Sequence, residues 1–561
     1  MLVGCGSDAK DRAQASARFL DEGSDAVVSV SLDYEGSDWT AVKRIYARAA
    51  GSGAFGRLAE GVAVPPTLDG AFNALAQFAG LSFQDDVKPL LGGTLLVGVS
   101  VTPAPPLPPD VRDILERFDE SRTKFEEDQV RYFDRDGRPL PAADVERARD
   151  VQSSRPPTQE AVATYRAPDA DALAALIKKL EKLGLRPRPL DGVKEARRLQ
   201  EGVAVVAEDT LVVVLDAGDR EPDDVLRERL EAPQDGPAQP EAEDALVAVR
   251  VAPSALGTVL DEQQLSRALT SAPVGRALRA FTARLDVEDK AVSTTGRVDF
   301  EGLGEADLPL GPPAPLELPT GEGIASASAD QQRTTVFLAQ LVRELYPESR
   351  FVREVTAFEQ AENLRFEDEV LRAFSGPSVS IFRTPNGDEE FAARSSLRDP
   401  ERMRALLPRL APALPDILQG LQGLGDFGLS ALLFVAPDAP LTPSAMSILP
   451  ALRARPLDRD LYEITGIDPT GNEAFKDTLV YGMIGDAFVV GSTRALAEEV
   501  ATVPTEKADP AATRMRIDVQ RLVEQSEGDT SPIFAKLVSA IDAEASGENG
   551  DIVFSARATL P

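Results

Sequence analysis

The side chains best placed to do chemistry are two acidic pairs, Asp85-Asp86 and Asp368-Glu369. Each pair lies in the same pattern, L-x-F-x-D-x-V, once in each half of the 561-residue chain. Paired carboxylates could bind a hard cation or serve as general acid and base in glycoside hydrolysis. A structural role competes with both, since Asp85 and Asp368 could cap a short helix by accepting backbone N–H bonds. We expect caps and keep a shared ligand or metal site as the alternative.

The absence of histidine limits the chemistry further. The chain has no histidine and a single cysteine, which excludes Ser-His-Asp triads, Cys-His pairs, the H-E-x-x-H zinc helix and any internal disulfide. Acid–base work by Asp and Glu, Ser-Lys pairs and a carboxylate-bound cation remain.

Three further motifs fit known sites only in part. Residues 51–56 match G-x-G-x-x-G but follow a helical pattern instead of a strand, so an inter-helix loop is expected. Residues 121–124 match S-x-x-K without its companion motifs, in a charged segment expected to be helical. Residues 134–137 start like a calcium loop but lack its later acids, which favours a turn. No cofactor and no metal are predicted.

The one cysteine, Cys5, follows Leu2-Val3-Gly4. This order matches the bacterial lipobox, in which a signal is cut before a cysteine that receives diacylglycerol. Residues 1–23 are therefore interpreted as a lipobox and polar tether, with the apolar part of the signal missing or the start mis-assigned. That predicts an extracytoplasmic protein anchored to the cell membrane by a lipid on Cys5. The alternative is an incidental cysteine at a frayed terminus.

The charge balance argues against polyanionic partners. With 92 acidic and 60 basic side chains, the formal net charge is −32. A phosphate backbone needs clustered Lys and Arg, so nucleic acid is not an expected partner. The same charge disfavours contact with anionic lipid headgroups through a basic patch.

Several segments of the chain occur twice in the same order. "VVSVSLD" at 27–33 matches "IASASAD" at 324–330, and "STTGRVDF" at 293–300 matches "VFSARATL" 260 positions later. A period this long indicates duplicated domains. We predict a first copy at 24–303 with an insertion at 103–157, and a second copy at 321–561 with an insertion at about 421–467. A Pro-rich linker, expected to be an extended spacer, separates them at 304–320.

The element patterns predict an α+β fold for each copy. Val247–Val251 alternates as a half-buried strand, and residues 202–217 predict a hairpin around Glu208-Asp209. The segment 169–184 predicts an amphipathic helix with Leu173 and Ile177 on its apolar face. We expect two tandem duplicated domains, each an antiparallel sheet with helices packed mainly on one face.

Three of these segments carry a resemblance. The opening "AVVSVSLD", the segment "LSFQDDVKPLLGGTLLVGV" and the later "ATYRAPDADAL" resemble the domain of unknown function 3352 family. The resemblance implies an exported, often lipid-anchored bacterial protein and implies no activity. Together these observations predict a non-catalytic, lipid-anchored envelope protein with a binding or structural role, whose partner is an envelope protein or cell-wall component. A carboxylate-dependent extracytoplasmic hydrolase is the alternative.

Overall fold

The structure, a computed structural model, is an α+β protein built on a large antiparallel sheet, which confirms the predicted class. It describes residues 5–51, 64–102, 107–126, 129–134, 138–153, 158–231, 235–240, 245–255, 273–320, 323–329, 331–345, 347, 349–383, 390–422, 451–467, 479–525 and 537–561. No helix in these ranges is both long and apolar enough to cross a membrane.

The strands are numbered in chain order. Those of the first half are β1 Ala26–Ser31, β2 Thr94–Thr102, β3 Phe118–Glu126, β4 Gln129–Asp134, β5 Pro139–Leu140, β6 Thr158–Arg166, β7 Arg188–Pro189, β8 Ala196–Gln200, β9 Val203–Val206, β10 Thr210–Asp216, β11 Val247–Val251, β12 Leu278–Glu288 and β13 Ala291–Phe300. Those of the second half are β14 Ala314–Pro319, β15 Ala325–Ala329, β16 Phe374–Arg383, β17 Glu390–Leu397, β18 Ala451–Pro456, β19 Leu461–Ile467, β20 Leu479–Ile484, β21 Ala487–Gly491, β22 Thr505–Ala511, β23 Thr513–Asp518, β24 Ala540–Glu548 and β25 Asp551–Thr559.

Helices connect these strands in both halves. The α-helices of the described residues are Cys5–Ala17, Ser37–Gly51, Leu68–Phe78, Pro109–Arg117, Ala142–Ser153, Ala170–Lys182, Pro222–Glu231, Pro273–Ala277, Gln331–Leu345, Arg350–Glu362, Phe366–Glu369, Pro400–Leu410, Leu414–Gln422, Arg494–Thr502 and Val519–Gln525. Short helical turns of other types span Phe83–Val87, Lys88–Leu90, Glu305–Asp307 and Leu371–Ala373.

The two halves have the same strand order. In the first half, neighbouring strands run β13-β12-β11-β1-β2-β6-β10-β9-β8-β7. In the second half they run β25-β24-β23-β15-β16-β17-β21-β20-β19-β18. Antiparallel pairing of β13 with β25 joins the halves into one 20-stranded sheet. We call this pairing the seam; the duplication that a shared strand order suggests stays a prediction.

Local sequence explains several of these elements. Ala207 and Glu208 adopt left-handed φ values of 48° and 65°, which lets β9 turn into β10 at the predicted hairpin. The helix Ala170–Lys182 begins where the Asp169 carboxylate accepts the N–H of Ala172, and it buries Leu173 and Ile177 as its apolar spacing predicts.

Helices pack on both faces of the sheet, whereas the sequence suggested mainly one. Val205 of β9 packs in a cluster with the helix Ala170–Lys182. Its neighbours Ala204 and Val206 pack in another cluster, with the helix Pro222–Glu231. Successive strand residues point to opposite faces, so the two helices cover opposite sides. A strand that is buried on both faces carries apolar residues at successive positions, so it does not alternate between apolar and polar residues as a strand with one solvent-facing side does.

The first insertion forms a small module outside the main sheet. Strands β3, β4 and β5 make their own three-stranded sheet, over which Tyr132, Leu140 and Val145 form a separate buried cluster. The second insertion needs a correction. Strands β18 and β19, within the predicted excursion at 421–467, belong to the main sheet and match β7 and β8 in its order. A change in the sequence distance between matched segments gives the number of inserted residues but not their position between the two matches.

Residues 304–320 begin with the helical turn Glu305–Asp307, continue into strand β14 and are not a detached spacer. Strand β14 pairs with β22, and Leu308, Leu316 and Leu318 are buried. Proline prevents helix, as expected, yet the leucines between the prolines bind this segment to the second half.

The N-terminal segment is likewise not a free tether. Residues Cys5–Ala17 are helical, and Ala13, Ala17, Phe19 and Leu20 lie in the largest buried cluster of the first half. The composition of residues 1–23 is mostly polar and therefore suggested a tether, whereas Ala13, Ala17, Phe19 and Leu20 pack together against the sheet.

Candidate functional site

The first acid of each predicted pair does not cap a helix. At the turn Phe83–Val87 the cap is Ser82, whose Oγ accepts the N–H of Asp85 at 3.3 Å. The Asp85 carboxylate accepts only the Ser82 hydroxyl, at 2.9 Å. Asp368 follows Arg365 at a helix start without a side-chain cap, and it pairs with Arg365 and Arg372 at 3.3 and 3.4 Å. The cap prediction for these two residues was wrong: Ser82 supplies the acceptor at the first helix start, and the Asp368 carboxylate is held by arginines instead of by backbone N–H groups.

The second acid of each pair links the turn to a helix. Asp86 accepts the N–H of Ser82 at 2.6 Å and forms an ion pair with Lys179 of the helix Ala170–Lys182. Glu369 pairs with Arg402 of the helix Pro400–Leu410 at 2.6 Å. The hydrogen bond from Lys179, followed by that from Ser82, lowers the pKa of Asp86. Each acid therefore fixes a helix position, which is a structural role.

The remaining predicted motifs form no site in the described residues. Residues 121–124 lie in strand β3, not in a helix; Lys124 pairs with Arg131 of β4, after an irregularity in the register that begins at Asp119. Asp134 closes a turn by accepting the N–H of Arg138 at 2.7 Å, while residues 135–137 lie outside the described residues. Gly51 ends a helix, as expected, and residues 52–56 of that motif are also outside. No cluster of metal-ligating side chains occurs within the ranges the structure describes.

Cys5 is the first residue of the helix Cys5–Ala17. The lipobox residues 2–4 before it lie outside the described residues. Among the helix residues whose burial the structure describes, 11–17, Ala13, Ser16 and Ala17 are buried.

A cavity of about 770 Å³ lies at the seam, and none of the predicted site residues lines it. Its walls come from β11, β12 and β13 of one half and β24 and β25 of the other, with Pro313, Pro510 and Ala511 beside them. Ligand cavities commonly have volumes of roughly 300–1,000 Å³. The polar wall residues alternate along their strands and so project from one face: Thr282, Arg284, Thr295, Arg297, Glu544, Ser546 and Ser555.

Four of these residues form a row straight across the seam. The strand register places Arg284 opposite Thr295, Thr295 opposite Ser555, and Ser555 opposite Glu544. Arg284 Nε donates to the Thr295 hydroxyl at 2.9 Å, and the Ser555 hydroxyl donates to Glu544 Oε1 at 3.1 Å. The row therefore carries a cation at one end, an anion at the other and two hydroxyls between them. We call it the central row.

The hydroxyls of the central row keep hydrogen-bonding capacity for a ligand. Thr295 accepts from Arg284, so its own proton is free to donate, whereas Ser555 donates to Glu544 and keeps lone pairs that can accept. A ligand with hydroxyl or amide groups, which both donate and accept, would satisfy the pair.

Two further arginines lie near the central row, and they differ in whether they are held in ion pairs. Arg297 pairs with Asp551 across the seam and with Asp299 at 2.8 Å. The hydrogen bond to Asp551 raises the pKa of Arg297, against the opposing effect of partial burial. Arg250, half-buried in the wall, forms no ion pair with the residues that the structure describes. It is the lining cation most available to an anionic group of a ligand.

No local motif marks this cavity in the sequence. Its residues come from strands separated by up to about 300 positions, and each strand reads as an ordinary alternating segment. The one signal in the sequence was the match between 293–300 and 553–560, whose third residues, Thr295 and Ser555, pair at the seam.

Comparisons of the chain with protein families, curated proteins and solved structures identify no relative from which a function could be inferred. No family model matches the chain, and no curated protein matches it. Among solved structures, crystal form I of TP0453 is 11% identical, with 50% of this chain and 77% of that chain covered at a TM-score of 0.23. Crystal form III is 11% identical over 52% and 81%, at a TM-score of 0.24. TM-scores this low carry no argument about the function of this chain.

Proposed function

We propose that this chain is a non-catalytic, lipid-anchored protein of the bacterial envelope that binds a polar ligand at the seam. The central row carries this proposal, because it brings two hydroxyls with complementary hydrogen-bonding capacity to the wall of a ligand-sized cavity. The ligand class that fits is a hydroxyl- and amide-bearing cell-wall fragment, with an anionic group for Arg250.

The anchor part of the proposal rests on Leu2-Val3-Gly4-Cys5 and on the resemblance to the 3352 family. Cys5 precedes the buried Ala13 by eight helix positions, a rise of about 12 Å. A lipid on Cys5 would therefore hold the first half close to the bilayer, not at the end of a long tether.

The anchor is tested in a bacterium that expresses the native gene. A fatty-acid analogue should label the wild-type protein and place it in the membrane fraction, while Cys5→Ala should lose the label. The exposed Gln14→Ala is the matched control in the same helix. Equal labelling of Cys5→Ala and wild type would refute the anchor.

The ligand site is tested by titrating soluble peptidoglycan fragments into the purified protein. Thr295→Val and Ser555→Ala remove one hydroxyl each and should weaken binding about fivefold or more, since a lost hydrogen bond costs about 1 kcal/mol. Thr356→Val removes an exposed helix hydroxyl far from the seam in sequence and should leave binding unchanged. Unweakened binding by both seam variants would contradict this site.

The hydrolase alternative has less support. Asp299, Glu544 and Glu548 line the same cavity, but Asp299 pairs with Arg297 and Glu544 pairs with Arg514 at 3.3 Å. A glycosidase needs one carboxyl group kept protonated by its surroundings. Release of cleaved products from the same fragments, lost in Glu544→Gln, would favour the hydrolase over the binding protein.

A further inference from the structure

The helix Leu68–Phe78 presents large apolar side chains to solvent. None of its residues is buried, and Leu75 and Phe78 are 64% and 91% exposed. Residues three apart share a helix face, so both project from the same side. Phe72, one turn before Leu75, does not extend this exposed surface, because its ring packs against Tyr34 and Phe83.

A third exposed apolar residue joins them from the neighbouring helix. Leu183, just after the helix Ala170–Lys182, is 56% exposed. A Cβ built at Gly80 would lie 3.2 Å from Leu183 Cδ1, so the ends of the two helices are in contact. We call Leu75, Phe78 and Leu183 the apolar patch.

The chain around Leu183 is locally basic, although the protein as a whole is strongly acidic. Residues 178–198 hold eight basic and three acidic side chains, a net charge of +5 in a chain of net charge −32. Lys179 and Arg198 are engaged, with Asp86 and Asp223. Lys178, Lys182 and Arg186 are exposed and form no ion pair with the described residues.

Local charge decides what such a surface attracts. At physiological salt, charges more than about 8 Å apart in solvent are largely screened from each other. An approaching headgroup therefore responds mainly to the charges nearest the patch, which are Lys178, Lys182 and Arg186 together with the exposed acids Glu181 and Asp85. The net charge of the whole chain argued against contact with anionic lipid, but it does not show how the charges are distributed over the surface.

We propose that the apolar patch and the adjacent cations Lys178, Lys182 and Arg186 form a contact surface for an anionic lipid bilayer. Leu75, Phe78 and Leu183 enter the interface, and the cations bind headgroup phosphates. A side chain as exposed as Phe78 projects into solvent and does not line a groove, which suits a bilayer better than a pocket on a protein. This surface is separate from the seam and does not depend on a lipid at Cys5.

The test uses the full chain with Cys5→Ala, so that no anchor contributes. The protein should sediment with phosphatidylglycerol-containing vesicles and remain in solution with phosphatidylcholine vesicles. Phe78→Ser should weaken binding about tenfold or more, as expected for a buried aromatic side chain. Lys182→Gln should weaken it about fivefold.

Matched controls lie outside the surface. Leu215→Ser removes a leucine that is 59% exposed in β10, and Lys507→Gln removes an exposed lysine in β22. Both should bind like the parent, and unchanged melting temperatures should show that every variant is folded.

Two results would overturn the proposal. One is the absence of vesicle binding, in which case an acidic surface of another protein would be the partner of the apolar patch. The other is equal loss in patch and control variants. Because the Cys5→Ala background lacks the anchor, either failure is distinguishable from failure of the anchor or of the seam site.

Discussion

Thr295 lies directly opposite Ser555 at the seam, and Ser555 is 260 positions further along the chain. That spacing equals the offset by which 293–300 matches 553–560. Each seam strand therefore pairs with its own counterpart about an approximate two-fold axis between these residues. The flanking charges break the symmetry: Arg284 bonds to Thr295, whereas its counterpart Glu544 bonds to Ser555. A backbone that is symmetric in this way can present a polar, asymmetric surface to a ligand.

The seam should hold the halves together without a covalent link. A protease site placed at the exposed turn around Gly302, after β13, should give two fragments that elute together, because eight residue pairs, an Arg297–Asp551 ion pair and stacked Phe281 and Phe554 join them. Size-exclusion chromatography before and after denaturant checks this. The cleaved sample without denaturant should elute as the intact protein does. Separation of the fragments without denaturant would show that the covalent connection, and not the seam, holds the halves together.

Gly296 should tolerate no side chain. A Cβ there would lie 2.2 Å from Phe554 Cζ and 2.5 Å from the backbone oxygen of Thr282, so Gly296→Ala should lower the free energy of unfolding by about 1–3 kcal/mol. Urea denaturation measures the change. Gly51→Ala is the control, since nothing lies within 4 Å of a Cβ at that helix end, and it should be neutral or slightly stabilising. Equal stability of Gly296→Ala and wild type would contradict the packing at the seam.

Asp86 should stabilise the fold in a pH-dependent way that Asp85 does not. The pKa of Asp86 is lowered in the folded state by the hydrogen bond from Lys179, so its contribution is present above the usual aspartate pKa and is lost as the pH falls through the folded value. At neutral pH, Asp86→Asn should cost about 1 kcal/mol of unfolding free energy. That cost should shrink as the pH drops below about 4.

The neighbouring carboxylate supplies the control. Asp85 is exposed and bonds only to Ser82, so Asp85→Asn should change stability by less than about 0.5 kcal/mol at any pH. Chemical denaturation of both variants from pH 3 to pH 7 separates the two. A pH-independent cost for Asp86→Asn would mean that the ion pair with Lys179 contributes nothing.

The N-terminal segment should behave as part of the core. Leu20 is 1% exposed within the main cluster of the first half, so Leu20→Ala should cost about 2–5 kcal/mol. Gln14→Ala, at an exposed position of the preceding helix, should cost almost nothing. Thermal unfolding of the two variants decides the matter, since a genuine tether would leave both melting temperatures at the wild-type value.

The sequence could predict those parts of this protein that depend on residues close together in the chain. Alternation marked strands such as β11 and the two strands of the hairpin around Glu208, and Asp169 with Leu173 and Ile177 defined a helix start and face. These features depend on neighbours within a few positions, where backbone geometry and side-chain period act directly. The α+β class follows from their sum.

Tertiary structure alone decided where those elements meet. The apolar residues among 13–20 lie in a segment of polar composition, and only their packing against the sheet shows that they belong to the core. Of the four recurring acids, Asp86 and Glu369 proved to be contacts to neighbouring helices, with Lys179 and Arg402. The candidate site depends on β13 pairing with β25. That choice is non-local: a strand edge accepts any compatible partner, and only the packing of both halves selects Ser555 as the residue opposite Thr295.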